Sequence, residues 1–170
     1  ALGTILATFA ANLVGALSFA GLVAASGVLR ANAAAGTMLS DMLAAKANEG
    51  PVELFVRGIL CNVLVCLAIW MCARVHSDVA KILLIFAAIL AFISSGFEHV
   101  VANMTTYGIG LFTGDANATL PLFASNLLWV GLGNFVGGAL IVGVGYWVIG
   151  GSPRLTVPAE TRERALAPVD

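Results

Sequence analysis

Four long apolar runs, separated by short polar connections, set the pattern of the chain. They cover about residues 2–29, 54–73, 82–113 and 122–149. A helix needs about 20 mostly apolar residues to cross a bilayer, so each run predicts a membrane span. Residues 1–150 therefore form one all-α transmembrane domain, and the polar residues 151–170 form a solvated, mobile tail.

The third run is too long for one straight crossing. Its two parts, residues 82–97 and 100–112, are each too short to span a bilayer alone. Between them lies "SSGFEH", in which Ser94, Ser95 and Gly96 favour turns and caps over a helix interior. A break at membrane depth is tolerated only where the backbone is buried in protein or lines a water-filled cavity. The third span is therefore predicted to be a broken helix.

Ionisable and amide side chains accompany this break. Glu98 and His99 begin the second half-helix, and Asn103 lies one turn beyond His99 on the same face. Asn62 lies in the middle of the second apolar run. Ionisable groups inside a membrane usually have a function and face the protein interior. Two structural alternatives stay open: Glu98 and His99 only hold the break in place by hydrogen bonds, with the Glu98 carboxylate capping free N–H groups, or Asn62 joins two helices.

The composition supports a membrane protein and argues against other classes. Hydrophobic residues make up 60% of the chain, charged residues make up 10%, and the mean hydropathy is +1.00. About a quarter of the residues in a soluble domain are charged. The net charge of -1, without a basic patch, argues against a nucleic-acid partner. The three cysteines act as small hydrophobic residues of the second span; they are Cys61, Cys66 and Cys72.

Basic residues in the connections predict the orientation of the spans. Arg74 and Lys81 lie in the connection between spans two and three, and the tail carries three arginines. The connection around Asp115 has no lysine or arginine, so it faces outward while the other two segments are cytoplasmic. The first connection contains "GTMLSDMLAAK", which predicts an interfacial helix. Its apolar side consists of Met38, Leu39, Met42 and Leu43.

Spans one and four contain similar segments, "ANLVGALSFAG" and "GNFVGGALIVG". The shared residues are Asn12, Val14, Gly15 and Gly21 in the first and Asn134, Val136, Gly137 and Gly143 in the second. Because these spans cross the membrane in opposite directions, the similarity predicts an inverted repeat, as in many channels and transporters. Spans two to four form one complete repeat, and span one ends another. The chain is thus expected to hold four of six spans, the C-terminal two-thirds of a longer protein.

The segment "SSGFEHVVANM" resembles the central signature of the formate/nitrite transporters, "ASGFEHSIANM". The spans "GILCNVLVCLAIWM" and "NLLWVGLGNFVGGALIVGVGYWV" are also similar to that family, so the likeness covers nearly the whole chain except the tail. The stretches "AAK", "ELFVRGILCN", "ANMTT" and "NLLWVGLGN" are most similar to the bacterial nitrite channels. A formate channel more often has a proline near Trp129.

The resemblance implies a fold, an assembly and a location. Members of the family have six spans in two inverted repeats, an aquaporin-like shape and a pentameric assembly with one pore per protomer. The implied protein is a multi-pass homopentamer of the bacterial inner membrane. A threonine on the other broken span belongs to a part that these 170 residues do not contain, so they cannot enclose the pore alone.

The resemblance also assigns site residues. The central histidine of the family falls on His99, and the asparagine that it meets across the pore falls on Asn62. The remaining matches are the apolar constrictions Phe92 and Val65 and the supporting residues Glu98 and Asn103.

The implied activity is passage of a small monovalent anion of a weak acid, with nitrite favoured and formate or hydrosulfide as alternatives. An apolar constriction opposes an anion by several kcal/mol or more, and one proton removes most of that cost. We expect the positive ends of the broken helices, with Lys46 and Arg57 at the outer side, to draw the anion in. His99 then supplies or relays a proton. In a weaker hypothesis, protonated His99 only attracts the anion.

Proteins of other classes fit less well. A four-span membrane scaffold without a pore has no use for a buried ionisable pair at a helix break. Neither an enzyme nor a metal or cofactor site is predicted, because Glu98 and His99 are neighbours on a helix and point about 100° apart. His76, the other histidine, lies in a cytoplasmic connection. An aquaporin proper would contain an N-P-A sequence, which does not occur in the chain.

Overall fold

The computed structural model describes residues 2–150, and the regular structure in this range is helical. The helices are α1 (Leu2–Ser26), α2 (Val28–Ala31), α3 (Ala33–Ala47), α4 (Pro51–Cys72), α5 (Asp78–Ser94), α6 (Val100–Thr113), α7 (Leu120–Phe135), a π-helical segment (Val136–Val144) and α8 (Gly145–Gly150). The predicted cytoplasmic tail, residues 151–170, lies outside the described residues.

Three helical stretches are long and apolar enough to cross a membrane: α1, α4 and the continuous stretch Leu120–Gly150. They correspond to predicted spans one, two and four. α1 ends at Ser26, before the predicted end, because Gly27 adopts a left-handed φ of 71°. α4 begins at Pro51, before the predicted start, where the Glu53 carboxylate accepts the Gly50 N–H at 2.9 Å.

The third predicted span consists of two short helices, as expected. α5 has 17 residues and α6 has 14, so neither reaches the length of about 20 residues that a straight crossing needs. Ser77 caps the start of α5, and Gly114, with a φ of 76°, ends α6. Residues 95–99 between the two helices are not helical.

The fourth span contains nine residues of π-helical geometry that the apolar pattern does not predict. In a π-helix each N–H bonds to the carbonyl five residues back. Next to this segment, Asn62 Nδ2 donates to the carbonyl oxygen of Asn134 at 2.6 Å. Gly138 makes room for that amide, because an added Cβ there would collide with Asn62 Nδ2. A side chain inserted beside the carbonyl ladder is a known cause of irregular helix geometry.

Glycines bring α4 and α7 into backbone contact. A Cβ added at Gly133 would collide with the carbonyl oxygen of Phe55, and one added at Gly137 would collide with that of Ile59. Small residues four positions apart permit this approach between membrane helices. The tight pairing fixes α7 against α4 beside the break.

α6 forms the centre of the buried core. Met104 and Tyr107 of α6 pack in one cluster with Leu43 of α3 and Val130 of α7. The predicted apolar side of α3 is therefore divided: Leu43 is fully buried by protein, whereas Met38 and Met42 are exposed. That α3 also lies at the membrane interface stays a prediction.

Large apolar side chains cover the outer surfaces of α1 and α5. Those more than half exposed include Leu6, Phe19 and Leu22 on α1 and Ile82, Phe86 and Ile93 on α5. Contiguous exposed apolar surface of this kind marks a membrane-facing or protein-facing surface rather than a water-facing one.

The two asparagines of the predicted repeat have different surroundings. Asn134 is buried, whereas Asn12 is only half-buried and donates to the carbonyl oxygen of Thr8 in its own helix, at 2.9 Å. Among the described residues, nothing outside the helix lies within 4 Å of a Cβ added at Gly15. The inverted relation of the two segments stays a prediction.

Candidate functional site

The break between α5 and α6 is a turn that places His99 at the start of α6. Gly96 adopts a φ of 67°, in the left-handed region that favours glycine. The Glu98 N–H then donates to the carbonyl oxygen of Arg57 on α4, at 3.4 Å. The predicted position of the break, residues 94–96, is confirmed at the end of α5.

Asn134 on α7 holds the break in place. Its Nδ2 donates to the carbonyl oxygens of Glu98 and Gly58, each at 2.9 Å. Its Oδ1 accepts the Val100 N–H at 2.9 Å. One buried amide thus satisfies main-chain groups on both sides of His99, and it joins α4, α7 and the break.

We expect Asn134→Ala to destabilise the protein by at least about 2 kcal/mol, because each buried main-chain group left without a partner costs about 1–3 kcal/mol. The measurement is thermal unfolding of the full-length protein in detergent. Asn48→Ala is the control, since it removes one exposed hydrogen bond to the Ala44 carbonyl within α3. Equal unfolding temperatures for the two variants would contradict the role of Asn134.

The Glu98 carboxylate is buried and held by two side chains. Lys46 Nζ lies 2.5 Å from its Oε1, and Asn103 Nδ2 donates to its Oε2 at 2.5 Å. Asn103 Nδ2 also donates to Asn126 Oδ1 at 2.8 Å. The carboxylate therefore does not cap the N–H groups of the break, the structural alternative considered for Glu98. It connects α3 with α6, and Asn103 extends this connection to Asn126 on α7.

His99 caps α6 and lies beside Phe92. Its Nδ1 accepts the Ala102 N–H at 3.4 Å, so in this geometry the ring is neutral and carries its proton on Nε2. The rings of Phe92 and His99 stack with their centroids 6.2 Å apart and their planes 29° apart. The ring therefore has a defined orientation without being enclosed.

Two cavities meet at His99. The first has a volume of about 440 Å³ and lies between α3, α4 and the break; the second has a volume of about 410 Å³ and lies between α1, α4 and α7. Both asparagines of the predicted repeat line the second cavity, although only Asn134 is buried. Among residues 2–150, His99 alone lines both cavities. His99 therefore lies at the boundary between the two cavities, and because its Nδ1 accepts the Ala102 N–H, Nε2 is the ring nitrogen left to bond a molecule there.

Most of the predicted site residues line the first cavity: Phe92, Glu98, Asn103, Lys46 and Arg57. Asn62 lines the second cavity. Its hydrogen bond to the Asn134 carbonyl oxygen also joins α4 to α7. Asn62 therefore both lines a cavity and connects two helices. Val65 is half-buried on α4, one turn beyond Asn62, and lines neither cavity.

Both cations predicted to attract an anion are paired with carboxylates. Lys46 pairs with Glu98, and Arg57 Nη1 lies 2.5 Å from Glu49 Oε1. Arg57 Nη1 also donates to the Gly96 carbonyl oxygen at 3.4 Å. An anion must therefore compete with carboxylates already in place, and attraction by these cations stays a prediction.

Three polar residues of the site were not predicted as site residues: Asn134, Asn126 and Glu49. Asn134 is visible in the sequence as part of the repeat. Asn126 is an amide in an apolar span, the same signal that singles out Asn62. Glu49 lies in a polar connection where carboxylates are ordinary, so no sequence signal distinguishes it.

Within residues 2–150, no group of three or more His, Cys, Asp or Glu residues is placed to hold a metal ion. Of the three cysteines on α4, Cys61 is buried and the other two are half-buried.

Comparison with known sequences supports the predicted resemblance. A family model described as "Formate/nitrite transporter" matches residues 1–148. The nitrite transporter NirC of Escherichia coli (strain K12) is 45% identical over 112 residues, which make up 65% of this chain and 41% of NirC. The chain therefore spans less than half the length of this relative.

Solved structures confirm the all-helical, aquaporin-like membrane fold. An FNT family ion channel matches with a TM-score of 0.75 and 37% identity, over 87% of this chain and 59% of that one. A pentameric formate channel with formate bound matches with a TM-score of 0.71 and 29% identity, over 81% of this chain and 62% of that one.

Proposed function

Because the chain belongs to the formate/nitrite transporter family, we propose that it lines the path of a small anion of a weak acid through a membrane, with nitrite as the substrate. Its 45% identity with NirC over 112 residues, against 34% with the formate channel FocA of Escherichia coli (strain K12) over 157 residues, favours nitrite. Formate is the second candidate, because the solved formate channel shares the fold. Members of this family are transporters, so an enzymatic reaction is not proposed.

The position of His99 carries the proposal. A titratable ring at a helix break, between two cavities, is suited to meet an anion that has left bulk water. The N-terminus of α6, which carries the partial positive charge of the helix dipole, also lies at this break, although Asn134 and His99 already accept its Val100 and Ala102 N–H groups. A scaffold without a path would gain nothing from this arrangement.

The proposed step is a transfer of one proton from doubly protonated His99 to an oxygen of nitrite. Nitrous acid and a neutral imidazole result, and the neutral acid passes the apolar surroundings at a much lower desolvation cost. The acid then loses its proton to water on the exit side, and the neutral ring regains a proton from water on the entry side, so that one proton crosses with each nitrite. Only a ring without a proton on Nδ1 can accept the Ala102 N–H, so this bond forms after the transfer.

We further propose that the full-length protein is a homopentamer of the bacterial inner membrane with a cytoplasmic C-terminal tail. The pentamer is supported by the solved formate channel, which is described as pentameric. The orientation is supported by the basic residues of the second connection and the tail. Native mass spectrometry in detergent tests the number of copies.

The test of transport uses the full-length protein in proteoliposomes across a pH gradient. We expect saturable nitrite uptake that increases when the outer solution is acidified, with formate a weaker competitor at equal concentration. Protein-free liposomes are the control, because nitrous acid itself crosses bilayers. Uptake no faster than in that control would contradict the proposal, and stronger competition by formate would favour the second candidate.

A further inference from the structure

Arg57 presents donors to the first cavity that its own partners do not use. Its hydrogen bonds to described residues, to Glu49 Oε1 and to the Gly96 carbonyl oxygen, are both made by Nη1. A guanidinium carries five N–H donors in a planar fork. The Arg57 side chain is 39% exposed, against 12% for Lys46, whose charge is buried against Glu98. Arg57 is therefore the cation in this cavity that a small anion can reach.

Glu49, the carboxylate paired with Arg57, lies in surroundings that are unfavourable for a charged group. The Glu49 side chain is only 10% exposed, and its Oε2 is buried without a hydrogen-bond partner among the described residues. An unpartnered carboxylate oxygen in such a place costs free energy. Glu49 lies in the short connection between α3 and α4, and it lines the same cavity as Arg57. Among the described residues, the Glu49 carboxylate is therefore held in the cavity through Oε1 alone, by Arg57.

The charges that line this cavity sum to zero. Lys46 and Arg57 contribute two positive charges, Glu49 and Glu98 contribute two negative ones, and His99 is neutral while its Nδ1 accepts the Ala102 N–H. Glu53 is also near, but its carboxylate accepts the Gly50 N–H. If Glu49 is neutralised or displaced, the cavity gains one net positive charge, and that charge resides on Arg57.

Protonation of Glu49 is easier than that of an ordinary glutamate. Burial is the main cause that raises the pKa of Glu49, and the nearby Glu98 carboxylate raises it further, whereas Arg57 and Lys46 oppose this shift. Glu53 contributes a smaller increase. As the pH falls, Glu49 therefore takes up a proton at a higher pH than usual and releases Arg57.

We propose that Arg57 forms an anion-binding site in the first cavity and that the Glu49 carboxylate occupies this site until an anion or a proton displaces it. Nitrite and formate, like a carboxylate, carry two oxygens on one atom and match the guanidinium fork in the same way. Glu49 thus acts as an internal competitor that keeps the site closed at high pH. This inference rests on the proposed function for the identity of the anion.

The test is equilibrium binding of nitrite, measured by calorimetry on the full-length protein in detergent at about pH 8 and about pH 5, where an ordinary glutamate is largely ionised. Glu49→Gln keeps the shape of the side chain and removes its charge. We expect this variant to bind nitrite about tenfold more tightly than the wild type at the higher pH, and the difference to shrink at the lower pH. In the Arg57→Gln background, Glu49→Gln should no longer tighten binding.

Equal affinities of the wild type and Glu49→Gln at the higher pH would overturn the inference. If Glu49→Gln does not fold, His99→Asn replaces the wild type in the comparison, because it removes the other side chain of this cavity that gains a positive charge on acidification. Its affinity for nitrite should still increase at the lower pH, and a constant affinity would overturn the inference. Calorimetry measures nitrite binding independently of the transport assay in proteoliposomes. Tighter binding by Glu49→Gln in a protein that does not transport nitrite would support this site while refuting the proposed function.

Discussion

Replacing His99 with asparagine should abolish pH-dependent nitrite uptake while leaving the fold intact. Asparagine is among the best helix N-caps, so its side chain can accept the Ala102 N–H in place of Nδ1. It cannot carry a transferable proton. Positioned acid–base groups contribute about 10²–10⁴-fold to proton-transfer steps, so we expect uptake at acidic outer pH to fall by about 100-fold or more. The measurement is initial nitrite uptake into proteoliposomes containing the full-length protein.

His99→Phe is the matched control, because it removes the proton and the cap together. We expect it to transport as poorly as His99→Asn but to be less stable by about 1 kcal/mol. Wild-type uptake by His99→Asn would mean that His99 serves only as a cap. A pH-sensitive dye inside wild-type vesicles distinguishes the two hypotheses for the ring. A proton relay acidifies the interior faster than in protein-free vesicles as nitrite enters, whereas simple attraction carries negative charge inward and adds no acidification to that background.

The broken third span could be predicted because the length of the apolar run and the residue types within it both indicate a helix break. Thirty-two mostly apolar residues, 82–113, exceed one crossing, and Ser94, Ser95 and Gly96 mark the point where the helix stops. The π-helical segment could not be predicted, since hydropathy reports burial and not which carbonyl accepts each N–H. The sequence also could not predict that Leu43 is buried by α6, because an apolar helix side has the same residue types whether it contacts lipid or protein.

The site was predictable where a polar group stood out from apolar neighbours. Glu98, His99 and Asn103 were found in this way, and the structure places all three beside the first cavity. Pairing was not predictable: Lys46 and Arg57 were expected to attract an anion, yet each is held by a carboxylate. Which acid meets which base depends on tertiary packing, and no spacing along the chain encodes the contact between Lys46 and Glu98, 52 residues apart.

Replacing Lys46 with methionine should be among the most destabilising single changes. Glu98 is 4% exposed, and loss of Lys46 leaves its carboxylate buried with Asn103 as its remaining side-chain partner. Removing one partner of a buried ion pair costs about 3–5 kcal/mol, which is a large part of the stability of an ordinary domain. We expect a large fall in the unfolding temperature of the full-length protein in detergent, or failure to recover folded protein.

Two further variants isolate the cause of this loss. Lys46→Met combined with Glu98→Gln removes both charges, and because it leaves no buried ion without a partner, it should recover most of the lost stability. Lys81→Met breaks an exposed pair with Asp78 on α5, whose atoms are 3.2 Å apart, and should cost less than about 1 kcal/mol. If Lys46→Met proves as mild as Lys81→Met, Glu98 carries no charge in the folded protein, and its contact with Lys46 is a hydrogen bond rather than an ion pair.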